Sequence, residues 1–175
     1  MTFAHNIIPM AMTIKNKFIF YDICAQFFQI YYFLSSIMNN IVGFIIVLGL
    51  FLIIDLPVIL YLNKSMYQTQ FMRINKQEIG SGAHIWLAGG FAYLLLAFSI
   101  YYFIVQPELD NQMINYWNIL IKGMVLGLVI YGVYNGTNMA TINEWGTKEF
   151  IVDTIWGTLL SGIISVNSIY LIKKV

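Results

Sequence analysis

The sequence predicts an all-α fold: a polytopic membrane helical bundle of four transmembrane helices, with a fifth N-terminal hydrophobic helix as an open alternative. The 175 residues are 59% hydrophobic and only 10% charged, which leaves too little polar surface to cover a soluble domain. Four apolar segments reach the length of about 20 residues that a helix needs to cross a bilayer. They lack the alternating pattern of membrane β-barrel strands and are about twice as long, so a barrel is excluded.

The four predicted spans form a domain over residues 41–175 and cover about 41–62, 83–105, 119–138 and 150–172. Asp55 and Pro57 lie in the second half of the first span, and His84 and Trp86 open the second. Aromatic residues collect near the segment ends, namely Tyr61, Tyr101, Tyr102, Tyr116, Trp117 and Trp145. Such an interfacial belt is typical of membrane helices and supports these span boundaries.

Residues 1–40 form an N-terminal hydrophobic extension with three interpretations. Residues 18–38 are apolar and aromatic but are interrupted by Asp22, Gln26 and Gln29. They are a fifth span, an interfacial helix, or sequence upstream of a true start at Met38. A cleaved signal peptide is not expected, because no small-residue cleavage site follows the segment.

Basic residues in the loops predict which face of the membrane is cytoplasmic. Lys64, Arg73 and Lys76 lie between the first and second spans, and Lys148 lies between the third and fourth. The loop between the second and third spans has neither Lys nor Arg. The positive-inside rule therefore places the first and third loops in the cytoplasm, although two lysines at the C-terminus oppose this orientation.

Composition and motifs argue against several classes of function. The net charge is +1 with no dense basic patch, so we expect no nucleic-acid partner. The two His and one Cys are too few and scattered for an ordinary zinc site, and there is no nucleophile elbow or phosphate loop. We expect no cofactor and no metal, and the sequence does not favour an enzyme. Asp55, Glu144 and Asp153 offer oxygen ligands for a hard cation, but nothing in their spacing demands one.

Polar side chains of different spans are predicted to converge in one half of the membrane. In an up-and-down bundle the end of the first span, the start of the second, the end of the third and the start of the fourth share one face. At 1.5 Å per residue, Asp55 lies about 10 Å and Asp153 about 5 Å below that interface. Polar groups at such depth commonly mark a functional site. The candidate substrate- or ion-binding residues are Asp55, Tyr131, Tyr134, Asn135, Thr137, Asn138, Thr141, Asp153 and Trp156.

Helical spacing groups several of these residues, because side chains three or four positions apart share a helix face. One face of the third span carries Tyr131, Tyr134, Asn138 and Thr141, and one face of the fourth carries Asp153, Trp156 and Gly157. The third span also contains two successive G-x-x-x-G spacings, Gly123 with Gly127 and Gly132 with Gly136. These spacings predict close packing of the third and fourth spans and offer a surface for a homo-oligomer.

Each of these polar residues also has a purely structural interpretation. Asp153 could cap the N-terminus of the fourth span, where free amides and the helix dipole favour a carboxylate. Asp55 could form an ion pair or hydrogen bond inside the bundle. Asn135 and Asn138 could join helices through side-chain hydrogen bonds. His84 is expected at the membrane interface rather than as a ligand.

The stretch YGVYNGTNMATINEW, followed by DTIWGT, resembles the signature of an uncharacterised family of small membrane proteins, domain of unknown function 2177, found in bacteria and some large DNA viruses. The resemblance covers about residue 41 to the C-terminus. The matching positions are Tyr131, Gly132, Tyr134, Thr137, Asn138, Ala140, Thr141, Trp145, Asp153, Trp156 and Gly157. It implies a multi-pass protein of the plasma membrane if bacterial, or of a virion or host membrane if viral.

Two departures from the family pattern stand within this signature. Asn135 occupies a position where the family usually has Asp, and Gly146 one where it tends to have Pro. An amide carries neither a charge nor an acidic proton, so a family mechanism that needs this carboxylate would be impaired here. The family has no established activity, so the resemblance implies an architecture and no reaction.

Three classes of function remain open. The first is a small transporter, channel or binder whose site is the polar cluster in one half of the membrane. The second is a structural or assembly membrane protein, in which the same residues lock the bundle. The third is a membrane-embedded enzyme that acts on an apolar substrate with a carboxylate as general acid or base, and it predicts a groove opening sideways between helices. The bilayer is an expected partner, and the sequence does not identify a substrate or ion.

Overall fold

The structure is a computed structural model that describes residues 26, 29–30, 38–76, 78, 82–109 and 111–174. Its regular elements within those residues are all helical, and four helices are long and apolar enough to cross a membrane. They are α1 (Met38–Leu62), α3 (Ala83–Leu109), α4 (Tyr116–Thr141) and α5 (Thr147–Ile172), and the shorter α2 (Lys64–Asn75) joins α1 to α3. The predicted fold class of four membrane helices is confirmed.

Residues Val42–Val175 form one compact unit, and the site described below lies within it. In the other unit, Met1–Ile41, the structure describes only residues 26, 29–30 and 38–41. The three interpretations of residues 1–40 therefore lie almost entirely outside the described residues.

Two helices depart locally from α-helical geometry. The last turn of α1, Val58–Leu62, is a π-helix that directly follows Pro57. Proline has no backbone N–H, so the carbonyl group four residues earlier loses its usual partner and the hydrogen-bond ladder is loosened. A second π-helical turn, Tyr101–Val105, interrupts α3. Its Tyr101 ring packs on Gly43 of α1, where an added Cβ would lie 2.6 Å from the ring.

The closest helix pair is α4 with α5, and small residues make the contact. A Cβ added to Gly127 would lie 2.7 Å from the carbonyl oxygen of Gly157, and one added to Gly123 would lie 2.8 Å from that of Ser161. The Ser161 hydroxyl lies in this contact and donates a hydrogen bond to the carbonyl oxygen of Gly157 at 2.7 Å. The first G-x-x-x-G spacing therefore packs α4 on α5, as small residues commonly do in membranes.

The second G-x-x-x-G spacing does not take part in this contact. A Cβ added to Gly132 or Gly136 would meet nothing within 4 Å. Self-association of the protein through that face of α4 stays a prediction.

The apolar core fills one half of the bundle, which we call the core half. It contains Val47, Phe51, Ala97, Ile100, Tyr101, Ile104, Val105, Ile119, Leu160, Ile164 and Ile169. Two polar contacts lie at the end of the bundle next to this core. Lys122 pairs with Glu108 at 2.7 Å, and Lys173 donates to the carbonyl oxygen of Asn111 at 2.6 Å. The outward faces carry exposed apolar side chains such as Ile53, Leu87 and Val133, as lipid-facing helices require.

Candidate functional site

The other half of the bundle encloses a cavity of about 760 Å³, and we call this the cavity half. The end of α1, the beginning of α3, the end of α4, the beginning of α5 and the connecting helix α2 all contribute to it. Its polar and aromatic lining residues are Asp55, Tyr67, Gln70, Phe71, Asn75, Tyr93, Ser99, Tyr131, Tyr134, Asn135, Asn138, Trp145, Glu149 and Asp153. The cavity volume is typical of small-molecule sites, which span about 300–1,000 Å³.

Asp55 is one of two carboxylates held at the centre of a hydrogen-bond network. Its side chain is buried, with 4% of the residue surface exposed. Tyr93 of α3 donates its hydroxyl to Oδ2 at 2.7 Å, and Trp156 of α5 donates its indole N–H to Oδ1 at 2.7 Å. Asp55 thus joins α1, α3 and α5 through two short hydrogen bonds.

Asp153 is the second such carboxylate. The Asn135 amide of α4 donates to its Oδ2 at 2.7 Å, and the Tyr67 hydroxyl of α2 donates to its Oδ1 at 2.8 Å. The Asn135 amide also donates to the Tyr131 carbonyl at 3.1 Å. Asp153 does not cap α5, because that helix begins at Thr147 with Gly146 in the capping position. Its role is therefore to connect α5 to α2 and α4.

Tyr67 lies outside the membrane spans and keeps its proton. Burial and then the neighbouring Asp153 carboxylate raise the pKa of the Tyr67 hydroxyl well above its ordinary value. A phenolate beside the half-buried Asp153 carboxylate is disfavoured by both effects. Tyr67 therefore acts as a stable hydrogen-bond donor that holds α2 over the cavity.

A second set of contacts fixes α2 to the beginning of α5. The Gly146 N–H donates to Gln70 Oε1 at 3.3 Å, and Arg73 donates to the Glu144 carbonyl at 3.3 Å. Arg73 also approaches the buried Glu149 carboxylate at 3.7 Å. Glu149 occupies the first turn of α5, where the helix dipole favours a negative charge.

Three lining residues carry buried polar atoms with no hydrogen-bond partner in the part of the chain that the structure describes. They are the Gln70 Nε2 and Trp145 Nε1 donors and the Asn135 Oδ1 acceptor. Gln70 is 7% exposed and Asn135 is fully buried. Buried polar atoms normally find a partner, and leaving one unpaired costs about 1–3 kcal/mol. Two donors and one acceptor on one cavity wall thus keep free hydrogen-bonding capacity.

The charges on the cavity wall are unbalanced. Asp55, Glu149 and Asp153 line it, whereas none of its described lining residues is Lys, Arg or His. Arg73 compensates Glu149 from outside the wall. Within the described residues neither Asp55 nor Asp153 has an ion-pair partner. The described wall therefore carries acidic side chains that no basic side chain on the same wall offsets.

Most of the residues predicted from the sequence meet in this cavity. Its wall includes Asp55, Tyr131, Tyr134, Asn135, Asn138 and Asp153, and Trp156 supports Asp55. Thr137 and Thr141 are exposed, and their hydroxyls donate to carbonyls one turn earlier on α4. His84 is also exposed. No group of three His, Cys, Asp or Glu among the described residues could hold a metal ion, so Asp55, Glu144 and Asp153 do not form a cation site together.

The contribution of α2 to the cavity wall was not predicted from the sequence. Tyr67, Phe71 and Ile74 line the cavity and are four and three residues apart, which puts them on one helix face. This spacing indicates an amphipathic helix with one face towards the protein interior. Tyr93 had no such signal, because it stands in an aromatic-rich span without a polar neighbour to distinguish it.

The Asn135 substitution for the family's Asp has a physical consequence that can be measured. We expect Asn135→Asp to lower stability by about 1–3 kcal/mol at pH 8, because the donor to Asp153 becomes a second carboxylate. Thermal unfolding in detergent at pH 8 measures this.

Asn135→Ala is the matched control, since it removes the same hydrogen bond without adding a charge. It should be destabilised less than Asn135→Asp at pH 8. A variant Asn135→Asp that is as stable as the parent at pH 8 would contradict the contact with Asp153.

Comparison with known proteins supports the architecture. A family model described as predicted membrane protein (DUF2177) matches residues 40–170. The match covers all four membrane helices except the first two residues of α1 and the last two of α5. No curated protein and no solved structure matches the chain at a significant level.

Proposed function

The chain belongs to the DUF2177 family of predicted membrane proteins, and we propose that this multi-pass membrane protein binds a positively charged solute in its cavity and acts as a small transporter or binder. The observation that carries the proposal is the pair Asp55 and Asp153, which line the cavity without a basic residue on its described wall. Intramembrane carboxylates commonly mark the path of a cation or proton. By the loop charges, the cavity half faces the cytoplasm.

The hydrogen-bond donors around the two carboxylates are all neutral. Each carboxylate oxygen named above accepts one hydrogen bond from a tyrosine, tryptophan or asparagine side chain. None of these donors brings a positive charge to the carboxylates. Each carboxylate oxygen has further acceptor capacity, so a cation can still bind beside the existing partners.

The aromatic wall of the cavity suits an organic cation. Tyr93, Tyr131, Tyr134 and Trp145 line it, and the rings of Tyr134 and Trp145 meet edge to face at 5.6 Å. Aromatic faces attract ammonium groups, and clusters of such rings bind alkylated ammonium ligands. A divalent metal ion is disfavoured, because no group of three His, Cys, Asp or Glu converges among the described residues.

A structural role is the second candidate, and the hydrogen-bond network favours it directly. Asp55 joins α1, α3 and α5, and Asp153 joins α2, α4 and α5. If these residues only hold the helices together, replacing them lowers the stability of the protein, and the parent protein binds no ligand in the cavity.

Binding of radiolabelled methylammonium to purified protein, and its uptake into proteoliposomes, tests the proposal. We expect Asp55→Asn and Asp153→Asn each to weaken methylammonium binding by about 10- to 100-fold, the equivalent of one charge-assisted hydrogen bond of about 1.5–3 kcal/mol. The amide keeps the size of the side chain and can still accept a hydrogen bond, so the bundle should remain folded.

Glu108→Gln is the matched control. Glu108 is a buried carboxylate like Asp55 but pairs with Lys122 at the opposite end of the bundle, outside the cavity. This variant should bind methylammonium as the parent does. Absence of binding by the parent protein, together with a lower melting temperature in both aspartate variants, would favour the structural role instead.

A further inference from the structure

We propose that the cavity receives its ligand sideways from the bilayer, between α3 and α4, and that this ligand is a single-chain amphipathic amine. The inference rests on the cation site proposed above and names the substrate class of that site. Its amine would lie between Asp55 and Asp153, and its hydrocarbon chain would extend along the apolar wall towards the opening.

Exposed lining residues locate the opening. On α3, Gly89, Ala92 and Leu95 line the cavity and are nevertheless exposed, Leu95 by 50%. On α4 the lining residue Tyr134 is 52% exposed. A residue that faces both the cavity and the outside lies at its mouth. By the same criterion Asn75, at the end of α2, lies at one edge of the mouth. Most of the mouth is therefore bounded by the membrane helices α3 and α4, at a depth where the surroundings are lipid.

Small residues keep this side of the cavity open. Gly89 and Ala92 are three residues apart, so they share a face of α3. A Cβ added to Gly89 would meet nothing within 4 Å. The helix α3 instead approaches α4 and α5 at its π-helical turn Tyr101–Val105, in the core half. The separation of α3 from α4 in the cavity half leaves a passage between them.

The route from the aqueous face is covered by α2. Its residues Tyr67, Phe71 and Ile74 form part of the cavity wall. Hydrogen bonds from Tyr67 to Asp153 and from Gly146 to Gln70 fix α2 on the end of the bundle. A soluble cation has to pass the edge of this helix at Asn75, whereas a molecule dissolved in the bilayer reaches the mouth between α3 and α4 directly.

The wall combines two carboxylates with apolar side chains, as an amphipathic ligand requires. Leu95 and Leu96 of α3 and Ile130 of α4, the two helices that bound most of the mouth, supply part of the apolar lining. Burial of a hydrocarbon chain gains about 0.8 kcal/mol for each CH₂ group relative to water. Because the bilayer offers the same gain, the chain serves mainly to concentrate the ligand at the mouth.

The unpaired atoms specify the head group further. The Asn135 Oδ1 acceptor has no partner in the described structure and requires an N–H or O–H donor. A primary ammonium supplies three such donors, whereas a quaternary ammonium supplies none. The unpaired Gln70 and Trp145 donors can each bond an oxygen atom beside the amine. These atoms favour a primary amine over a fully methylated one.

A photoreactive, alkyne-bearing primary amine with a chain of about 16 carbons provides the test in nanodiscs of neutral lipid, with the matching long-chain alcohol as comparison. Mass spectrometry identifies the labelled peptides. We expect the amine to label residues of the cavity wall and the alcohol to label them about tenfold less, since it lacks the charge. Gly89→Trp, which fills the mouth, should reduce amine labelling by a similar factor.

Gly90→Trp is the matched control, because Gly90 also has open space around it but does not line the cavity. It should be labelled like the parent. If size-exclusion chromatography shows that Gly89→Trp does not fold, Ala92→Trp serves as a second variant that fills the mouth.

Three results would overturn the inference in distinguishable ways. Equal labelling by amine and alcohol, or equal labelling of both tryptophan variants, excludes an amine entering between α3 and α4. Methylammonium binding that persists in Gly89→Trp, with no gain in affinity from the long chain, leaves the cation site intact and excludes lateral entry. Failure of methylammonium and the long-chain amine alike to bind the parent removes the cation site and this inference together.

Discussion

Gly127→Leu is expected to be among the most destabilising single substitutions in this protein, by about 3 kcal/mol or more. A Cβ at this position would lie 2.7 Å from the backbone carbonyl of Gly157 and 2.6 Å from the Ser161 hydroxyl oxygen. Two helix backbones meet there, so relief requires α4 and α5 to separate. Separation would also pull Asn135 away from Asp153, because these residues lie on the same two helices.

Gly132→Leu is the matched control for this prediction. Gly132 lies on the same helix, but an added Cβ would meet nothing within 4 Å. We expect its melting temperature in detergent to stay close to that of the parent, whereas Gly127→Leu should aggregate or melt far earlier. Equal effects of the two substitutions would mean that the α4–α5 contact does not limit stability.

The second large effect is expected where Gly157 meets the ring of Tyr131. A Cβ added to Gly157 would overlap three ring carbons of Tyr131. Gly157→Ala should therefore force the ring towards the cavity, lower stability by about 1–3 kcal/mol and weaken methylammonium binding. Tyr131→Ala should also destabilise the protein, because it removes a large ring from the wall.

The double variant separates steric overlap from a general loss of packing. Once the Tyr131 ring is gone, the methyl group of Gly157→Ala has space, so the double variant should be more stable than the sum of the single effects predicts. Coupling energies between contacting residues are about 0.5–3 kcal/mol. Strict additivity in thermal or chemical unfolding would contradict the close approach of Gly157 and Tyr131.

Much of the architecture could be predicted because a membrane-spanning helix is identified by the length and the apolar composition of its segment. Four apolar segments of sufficient length predict four spans, and short loops predict an up-and-down order. That order alone places Asp55, Asn135 and Asp153 in the same half of the membrane. Spacing then predicts that Tyr131, Tyr134 and Asn138 share a face, and all three line the cavity.

Other features could not be predicted from the sequence, and the reasons are physical. Spacing placed Thr141 on the same face, but it lies in the last turn of α4, where its hydroxyl bonds the preceding turn. The G-x-x-x-G pattern by itself did not show which glycine pair meets α5. Gly132 follows Gly127 by five residues, about 140° around the helix, so the second pair lies outside the α4–α5 contact.

The partners of the carboxylates were beyond the sequence for a related reason. Asp55 bonds residues 38 and 101 positions away, and no local pattern identifies such distant donors. The opening proposed between α3 and α4 is also what a membrane-embedded enzyme would need, so access from lipid does not by itself distinguish a binder from an enzyme.

The depth of the carboxylates has an electrical consequence. Asp55 lies about 10 Å from the end of α1 at 1.5 Å per residue, roughly a third of a hydrocarbon core about 30 Å thick. One elementary charge moved across a full potential of 100 mV gains or loses about 2.3 kcal/mol. A cation at Asp55 would experience about a third of this, near 0.8 kcal/mol, or about a fourfold change in affinity. Occupancy of the cavity would therefore follow the membrane voltage even in a protein that never conducts.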